Sequence, residues 1–207
     1  MKRVTVIKNN ISTHLVNRLR DITTGSGEFR NIISELSKLL FTEASMDILL
    51  ENKKIKTWIG EKDFLFLPEN KFIFVPILRA GLPMLEGLLK IFPEVSAGFL
   101  GIKRNEETLE SQLLYERLPN INGKIVFLLD PMIATGNSLS TAVNIIKEKN
   151  PESIYSLNIV GAPEGISYVT ENHPDLNLYI TQIDEKLNKK GYILPGLGDA
   201  GDRAFHT

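Results

Sequence analysis

Two stretches limit what this chain can fold into more than any others. KFIFVPIL (71–78) and KIVFLLD (124–130) are short runs of nearly unbroken apolar residues. A strand with one wet face alternates apolar and polar side chains, so unbroken runs of this length belong to strands covered on both sides. Each run leads through a short loop into helical spacing. RAG and LPMLEGLLKIF follow the first, and PMIATGN and SLSTAVNIIKEK follow the second. In the second helix Leu139, Ala142, Val143 and Ile146 share one face. SIYSLNIVGAP, EGISYVTEN and NLYITQID continue as strand, helix and strand. This alternation predicts an α/β chain with a mostly parallel central sheet flanked by helices. Ligands of such sheets bind beyond the C-terminal ends of the strands, where RAG and DPMIATGN fall.

The first third reads as mostly helical. Ile33, Leu36, Leu40 and Ala44 form a stripe within a helix expected over about 29–50, after the loop TTGSGE (23–28). VSAGFLGIKR and QLLYERL are further strands joined by the polar NEETLE (105–110), which reads as a hairpin or flap. Three carboxylates there resemble a metal site, but the solvated tip of a hairpin is the simpler reading. After Asp184 no regular period remains, which suggests a hood. No repeat or linker divides the chain, so residues 1–207 are expected to form one domain, with 184–207 as its hood.

Composition excludes several functions. The net charge of -1 provides no general basic field for nucleic acid or an anionic membrane. The absence of cysteine removes disulfides, thiolate metal sites and a cysteine nucleophile together. The most apolar stretch, FIFVPIL, is too short to span a bilayer, and MKRVTVIKNN lacks the apolar run of a signal peptide. The expectation is a cytoplasmic protein with no membrane and no nucleic-acid partner.

Two glycine-containing segments compete as phosphate sites. Gly196, Gly198 and Gly201 match G-x-G-x-x-G, but only six residues follow Gly201. Neither the helix nor the distant acid of a dinucleotide fold can follow, so that reading fails. The segment after KIVFLLD is stronger. A buried strand ends at Asp130, and Thr135, Gly136, Asn137 and Ser138 enter a helix whose N-terminal N–H groups and dipole suit an anion. Capping explains Ser138 alone and leaves the rest of the loop without a role. G-x-x-x-x-G-K-[ST] is absent, so this is not an ATPase loop.

LDPMIATGNS resembles the phosphoribosyl pyrophosphate (PRPP) loop of type I phosphoribosyltransferases, and its Asp-Pro-Met opening is similar to the uracil phosphoribosyltransferases. VPILRAGLPM (75–84), KRNEETLE (103–110) and GYILPGLGDAGDR (191–203) match that family in order, and LRDITTGSGEFR (19–30) resembles it more loosely.

The resemblance implies the type I phosphoribosyltransferase fold, with a β-hairpin flap and a C-terminal hood. It implies an enzyme of pyrimidine salvage that transfers the 5-phosphoribosyl group of PRPP to N1 of uracil, forming UMP and pyrophosphate. The alternatives are a transferase for another base and a weakened paralogue that senses nucleotides.

By the same resemblance, Arg79 and Arg104 bind pyrophosphate, with backbone donors from Ala80 and Gly81. Asp130 holds the ribose hydroxyls. Pro131, Met132, Ile133, Ala134, Thr135, Gly136, Asn137 and Ser138 form the PRPP loop, the last five cradling the 5-phosphate. Ile193, Gly198 and Ala200 read uracil through the main chain, beside Asp199, which faces PRPP. Pro131 stands where many type I enzymes carry a second acid, so Mg²⁺ would be held mainly by PRPP and water. The implied partners are PRPP, uracil, further copies of the chain in a homodimer or higher homo-oligomer, and GTP or another nucleotide as effector.

The chain departs from the family pattern in three places. Asn137 replaces a small residue, and its side chain is expected to crowd the phosphate. Met46 replaces an arginine, and the chain ends FHT rather than Phe-Gly-Thr. None of the three histidines lies in a motif suited to a general base.

Overall fold

The computed structural model describes residues 4–104 and 111–207, with Arg104 described in its backbone only. NEETLE therefore lies outside the described residues. The chain opens with β1 (Val4–Val6), α1 (Asn10–Arg20) and α2 (Ser26–Ser45), then β2 (Glu51–Thr57) and β3 (Gly60–Phe66). Next come β4 (Phe72–Leu78), α3 (Leu82–Leu89), β5 (Ser96–Ala97), β6 (Phe99–Arg104) and β7 (Ser111–Arg117). The loop-bearing part comprises β8 (Ile125–Leu129), β9 (Met132–Ile133), α4 (Asn137–Lys147), β10 (Ser153–Gly161), α5 (Pro163–Asn172) and β11 (Asn177–Ile183). Two short strands, β12 (Lys186–Leu187) and β13 (Ile193–Leu194), precede α6 (Ala200–Phe205).

The main sheet runs β1-β11-β10-β8-β4-β6-β7. Its pairs are parallel except the last, in which β7 runs antiparallel to β6. All of β8 and all but the last residue of β4 are buried, as unbroken apolar runs require of central strands.

Alternate residues of a strand face opposite sides, so the sheet feeds two cores. Phe72, Phe74 and Phe127 join Phe41 of α2 and Phe92 in one aromatic cluster, with ring centroids between 5.0 and 6.2 Å apart. Ile73, Val75, Val126 and Leu128 pack on the opposite side with Leu139, Val143 and Ile146 of α4. Phe127 is wholly buried, and truncating such a ring to alanine costs about 3–5 kcal/mol.

This packing positions the functional end. In the register, Leu129 of β8 lies between Pro76 of β4 and Leu157 of β10, so β4 and β8 finish side by side. The turns that follow them therefore open at the same edge.

Ile33, Leu36, Leu40 and Ala44 are all fully buried, as their stripe predicts, but α2 ends at Ser45 rather than near residue 50. The mostly helical expectation also fails over 51–66, where β2 and β3 form a separate antiparallel hairpin. Every residue of β3 is exposed, so burial imposed no alternating pattern for the sequence to display. The aperiodic end likewise contains the β12–β13 pair and α6, each too short to show a period.

Candidate active site

The turns after β4 and β8 border a cleft of about 1040 Å³. Its walls include Leu78, Arg79 and Ala80 after β4, and Asp130, Met132, Ile133, Ala134, Thr135, Gly136 and Ser138 after β8. Lys103 of β6 also lines it, as do Lys189, Lys190, Tyr192, Asp199, Gly201 and Asp202 of the C-terminal segment.

The loop after β8 is fixed by bonds to β10. The Asp130 carbonyl accepts from Asn158 Nδ2 at 2.6 Å, and the Pro131 carbonyl accepts from the N–H groups of Ile159 and Val160 at 3.0 Å each. Asn158 is itself held by the Ser156 hydroxyl at 2.7 Å, and both residues are buried. The backbone of this loop is therefore set before any ligand arrives. Burial pushes the Asp130 carboxyl up to about 7, and the N–H of Met132 partly opposes that rise.

Gly136 caps α4 in the left-handed region, with φ 84°, and no side chain caps this helix end. Ser138 instead shares a 3.2 Å bond with the Ser111 hydroxyl of β7. The capping explanation for Thr135 and Ser138 is thus removed. A helix N-terminus without a side-chain cap presents its dipole and backbone to an anion.

Gly136 cannot be exchanged freely. A Cβ there would lie 2.7 Å from the Gly165 carbonyl oxygen, because the loop rests on the start of α5. The left-handed angle belongs to Gly136, not Asn137, which is the first residue of the helix proper.

Gly81 is required by packing within the fold. Its added Cβ would sit 2.2 Å from the Leu129 carbonyl oxygen, so β8, not a ligand, makes the close approach. Its N–H is already donated to the Ile77 carbonyl at 2.9 Å. The expected Gly81 donor is thus engaged within the turn.

Arg79 reaches across the cleft to the C-terminal segment, donating to Asp202 Oδ1 at 3.1 Å and to Thr207 Oγ1 at 2.5 Å. Asp199 turns its carboxylate onto α6 and accepts from the Asp202 N–H at 2.9 Å. Among the described residues, no three carboxylate or histidine side chains cluster as a metal site.

The uracil phosphoribosyltransferase model matches residues 6–207. The chain belongs to the uracil phosphoribosyltransferase family.

A uracil phosphoribosyltransferase from Aquifex aeolicus is 49% identical over 192 residues, covering 93% of this chain and 92% of its own. One from Finegoldia magna is 43% identical over 208 residues, covering both chains completely. A solved Aquifex aeolicus structure is 46% identical and superposes with a TM-score of 0.95, covering 98% of this chain and 97% of the other. A Staphylococcus aureus hypoxanthine phosphoribosyltransferase, 14% identical, has a TM-score of 0.51 over 87% of this chain and 84% of its own. It shares the type I phosphoribosyltransferase fold and nothing finer.

The positions singled out by the family motifs divide in the structure. Arg79, Asp130, Met132, Ile133, Ala134, Thr135, Gly136, Ser138 and Asp199 line one cleft. Pro131 and Asn137 support the same loop without lining it. Arg104 ends β6, and its side chain lies outside the described residues. Ile193 and Ala200 bury their side chains in the core beneath the C-terminal segment, while Gly198 is exposed with φ 78°.

Asp202, Lys189 and Lys190 line the same cleft without having been singled out. Asp202 was visible only as part of GDAGDR, and a lysine pair in a loop carries no distinguishing pattern.

Proposed function

We propose that this chain transfers the 5-phosphoribosyl group of PRPP to N1 of uracil, producing UMP and pyrophosphate. The observation that supports this best is the α4 N-terminus, which lacks a side-chain cap and opens onto the same cleft as Asp130 and Arg79. That end suits a 5-phosphate, the Asp130 carboxylate suits the ribose hydroxyls, and Arg79 and Arg104 suit the pyrophosphate through their guanidinium forks.

In the reaction, the C1–O bond of PRPP breaks with its electron pair leaving on pyrophosphate. The N1–C1 bond forms as the N1 proton passes to the departing pyrophosphate or to water. The ribosyl centre gains positive character, so the enzyme's tasks are to stabilise the departing anion and to hold the base in line. Arg79 would take the charge of the leaving group. The loop of Pro131, Met132, Ile133, Ala134, Thr135, Gly136, Asn137 and Ser138 would hold the ribose end still. The core-directed side chains of Ile193 and Ala200 leave their main chain to read uracil, with Gly198 giving close access and Asp199 facing PRPP. No described histidine lines the cleft.

Enzymes of this family generally work with Mg²⁺. Asp130 and Asp199 fit a supporting role toward it, since no three carboxylate or histidine side chains among the described residues gather as a ligand set, which suits an ion held chiefly by PRPP oxygens and water. The ion would neutralise charge on the pyrophosphate oxygens.

The reading extends to organisation. Residues 1–207 act as one domain with 184–207 as its base-binding hood, in the cytoplasm. No described helix is long and apolar enough to cross a membrane. Assembly into a homodimer or higher homo-oligomer is supported by the β2–β3 hairpin, which exposes Trp58 (95%), Phe64 and Leu65. GTP or another nucleotide is the candidate effector.

A base panel tests the reaction. The protein is incubated with PRPP, Mg²⁺ and one free base at a time, and pyrophosphate is measured. Release with uracil alone is expected. Release only with a purine would move the chain to another substrate, and the absence of release with every base would leave a nucleotide-sensing paralogue.

A further inference from the structure

Two largely covered guanidinium groups, neither lining the cleft, grip two successive carbonyls of the C-terminal segment. Arg20, the last residue of α1, makes a forked pair with Asp184, at 2.9 Å from Nη1 to Oδ2 and 2.5 Å from Nη2 to Oδ1. Its Nη1 also donates to the Gly196 carbonyl at 2.8 Å. Asp184 closes the ring by accepting from the Gly196 N–H at 3.0 Å. Both backbone groups of Gly196 are therefore held by one ion pair whose carboxylate side chain is 1% exposed.

Arg203 holds the next residue. Its Nη1 donates to the Leu197 carbonyl at 2.9 Å and to the Leu19 carbonyl, while Nη2 donates to the Asp21 carbonyl at 2.7 Å. The guanidinium lies 4.3 Å from the centroid of the Phe29 ring. The end of α1 is thus joined to the successive Gly196 and Leu197 carbonyls by two rigid guanidinium groups.

A buried ion pair is a poor device for stability alone, because removing its charges from water costs about as much as their attraction returns. What a forked pair gives well is position. Gly196 and Leu197 lie between Ile193 and Gly198, the main-chain positions assigned to uracil. Gly196 has φ 64°, and a Cβ there would come within 2.3 Å of the Ile193 carbonyl oxygen, so the turn folds Gly196 tightly back onto Ile193.

We infer that Arg20 and Arg203, with Asp184, are positioning residues for base recognition: they set the main chain that reads uracil without touching uracil or PRPP. This rests on the proposed function. It predicts that losing a fork impairs uracil selectively and spares PRPP, whose loop is fastened separately to β10.

The test is steady-state kinetics on Arg20→Met and Arg203→Met, with KM for uracil and for PRPP measured separately beside thermal unfolding. The expected result is a rise in uracil KM of at least about tenfold, since a shift of order 1 Å in a bound geometry costs up to about a hundredfold. PRPP KM should stay within about threefold, the spread of ordinary remote substitutions. A variant that does not fold is replaced by Arg20→Lys or Arg203→Lys, which keep charge and stem but lose the fork, and the same two constants are read.

Parallel changes in both KM values, or a fall in thermal stability with both unchanged, would make the clamp a strut and overturn the inference. Wild-type protein that does not turn over uracil at all would remove the proposed function and this role with it. Wild type that turns over uracil while the variants keep its KM removes the clamp alone.

Discussion

Arg79 and Asp202, 123 residues apart, meet across the cleft at 3.1 Å, with the Thr207 hydroxyl completing the grip on the guanidinium. The arginine assigned to pyrophosphate is therefore held by a carboxylate. Both partners are half exposed, so the pair is worth only about 0.2–1 kcal/mol. PRPP can displace it at small cost. Asp202→Asn is expected to lower KM for PRPP by no more than about fivefold, the factor that such an energy allows. A higher KM in the variant would show that Asp202 assists PRPP rather than competing with it.

Removing the guanidinium itself should act on the reaction far more strongly. Arg79→Met is expected to reduce kcat/KM for PRPP by about 10²–10³-fold, the usual effect of deleting one donor to a developing anion. Arg79→Lys should recover only part of that loss, because an ammonium cannot fork. Uracil KM measured at saturating PRPP should change little. Near-normal kinetics in Arg79→Met would detach this residue from the leaving group.

Burial raises the Asp130 carboxyl to about 7 from an ordinary value of 3.8. In the free enzyme the group gains its charge as pH rises through about 7, so kcat/KM for PRPP should climb across that range. Asp130→Asn should flatten the climb as well as lower the plateau.

The sign for stability is the opposite. Between about pH 4 and 7 the unfolded chain has lost this proton while the folded chain keeps it, so folding stability from this group falls over that window. The Asn variant should gain thermal stability relative to wild type on going from about pH 5 to about pH 8. An unchanged difference across that range would refute the raised carboxyl.

The loop glycine and its neighbour should separate cleanly. Gly136→Ala places a Cβ at φ 84° and 2.7 Å from the Gly165 oxygen, so it should destabilise the fold by about 1–3 kcal/mol and weaken PRPP binding. Asn137→Gly should lower PRPP KM by relieving crowding, and should cost up to about 1 kcal/mol for glycine in the first helical turn. Thermal unfolding and PRPP KM on both variants check this. Equal PRPP KM values for wild type and Asn137→Gly would remove the crowding argument.

The parts of the fold that burial forces into a pattern are those the sequence displays. β4, β8 and the inner face of α4 are legible because two-sided covering demands unbroken apolar runs and a helix buries one stripe. The β2–β3 hairpin is not, since strands exposed on both faces are free of either demand.

At the site, Asp130 and the turn into α4 stand out because a strand end, a glycine and a helix start coincide. Asp202 does not, because its place beside Arg79 arises only when α6 folds back on the end of β4. Arg20 and Arg203 resemble ordinary surface arginines until the chain brings them to Gly196 and Leu197. Asp199 fits a helix cap and a ligand-facing acid equally well, and the structure places it as the cap of α6 at the cleft wall.

The measurement that bears most directly on the central claim is product formation from PRPP and uracil in the presence of Mg²⁺, with UMP and pyrophosphate quantified from the same reaction. The account predicts both products in equal amounts, with neither formed when uracil is omitted. Pyrophosphate without UMP, or no product from active-site-intact protein at any uracil concentration, would contradict it.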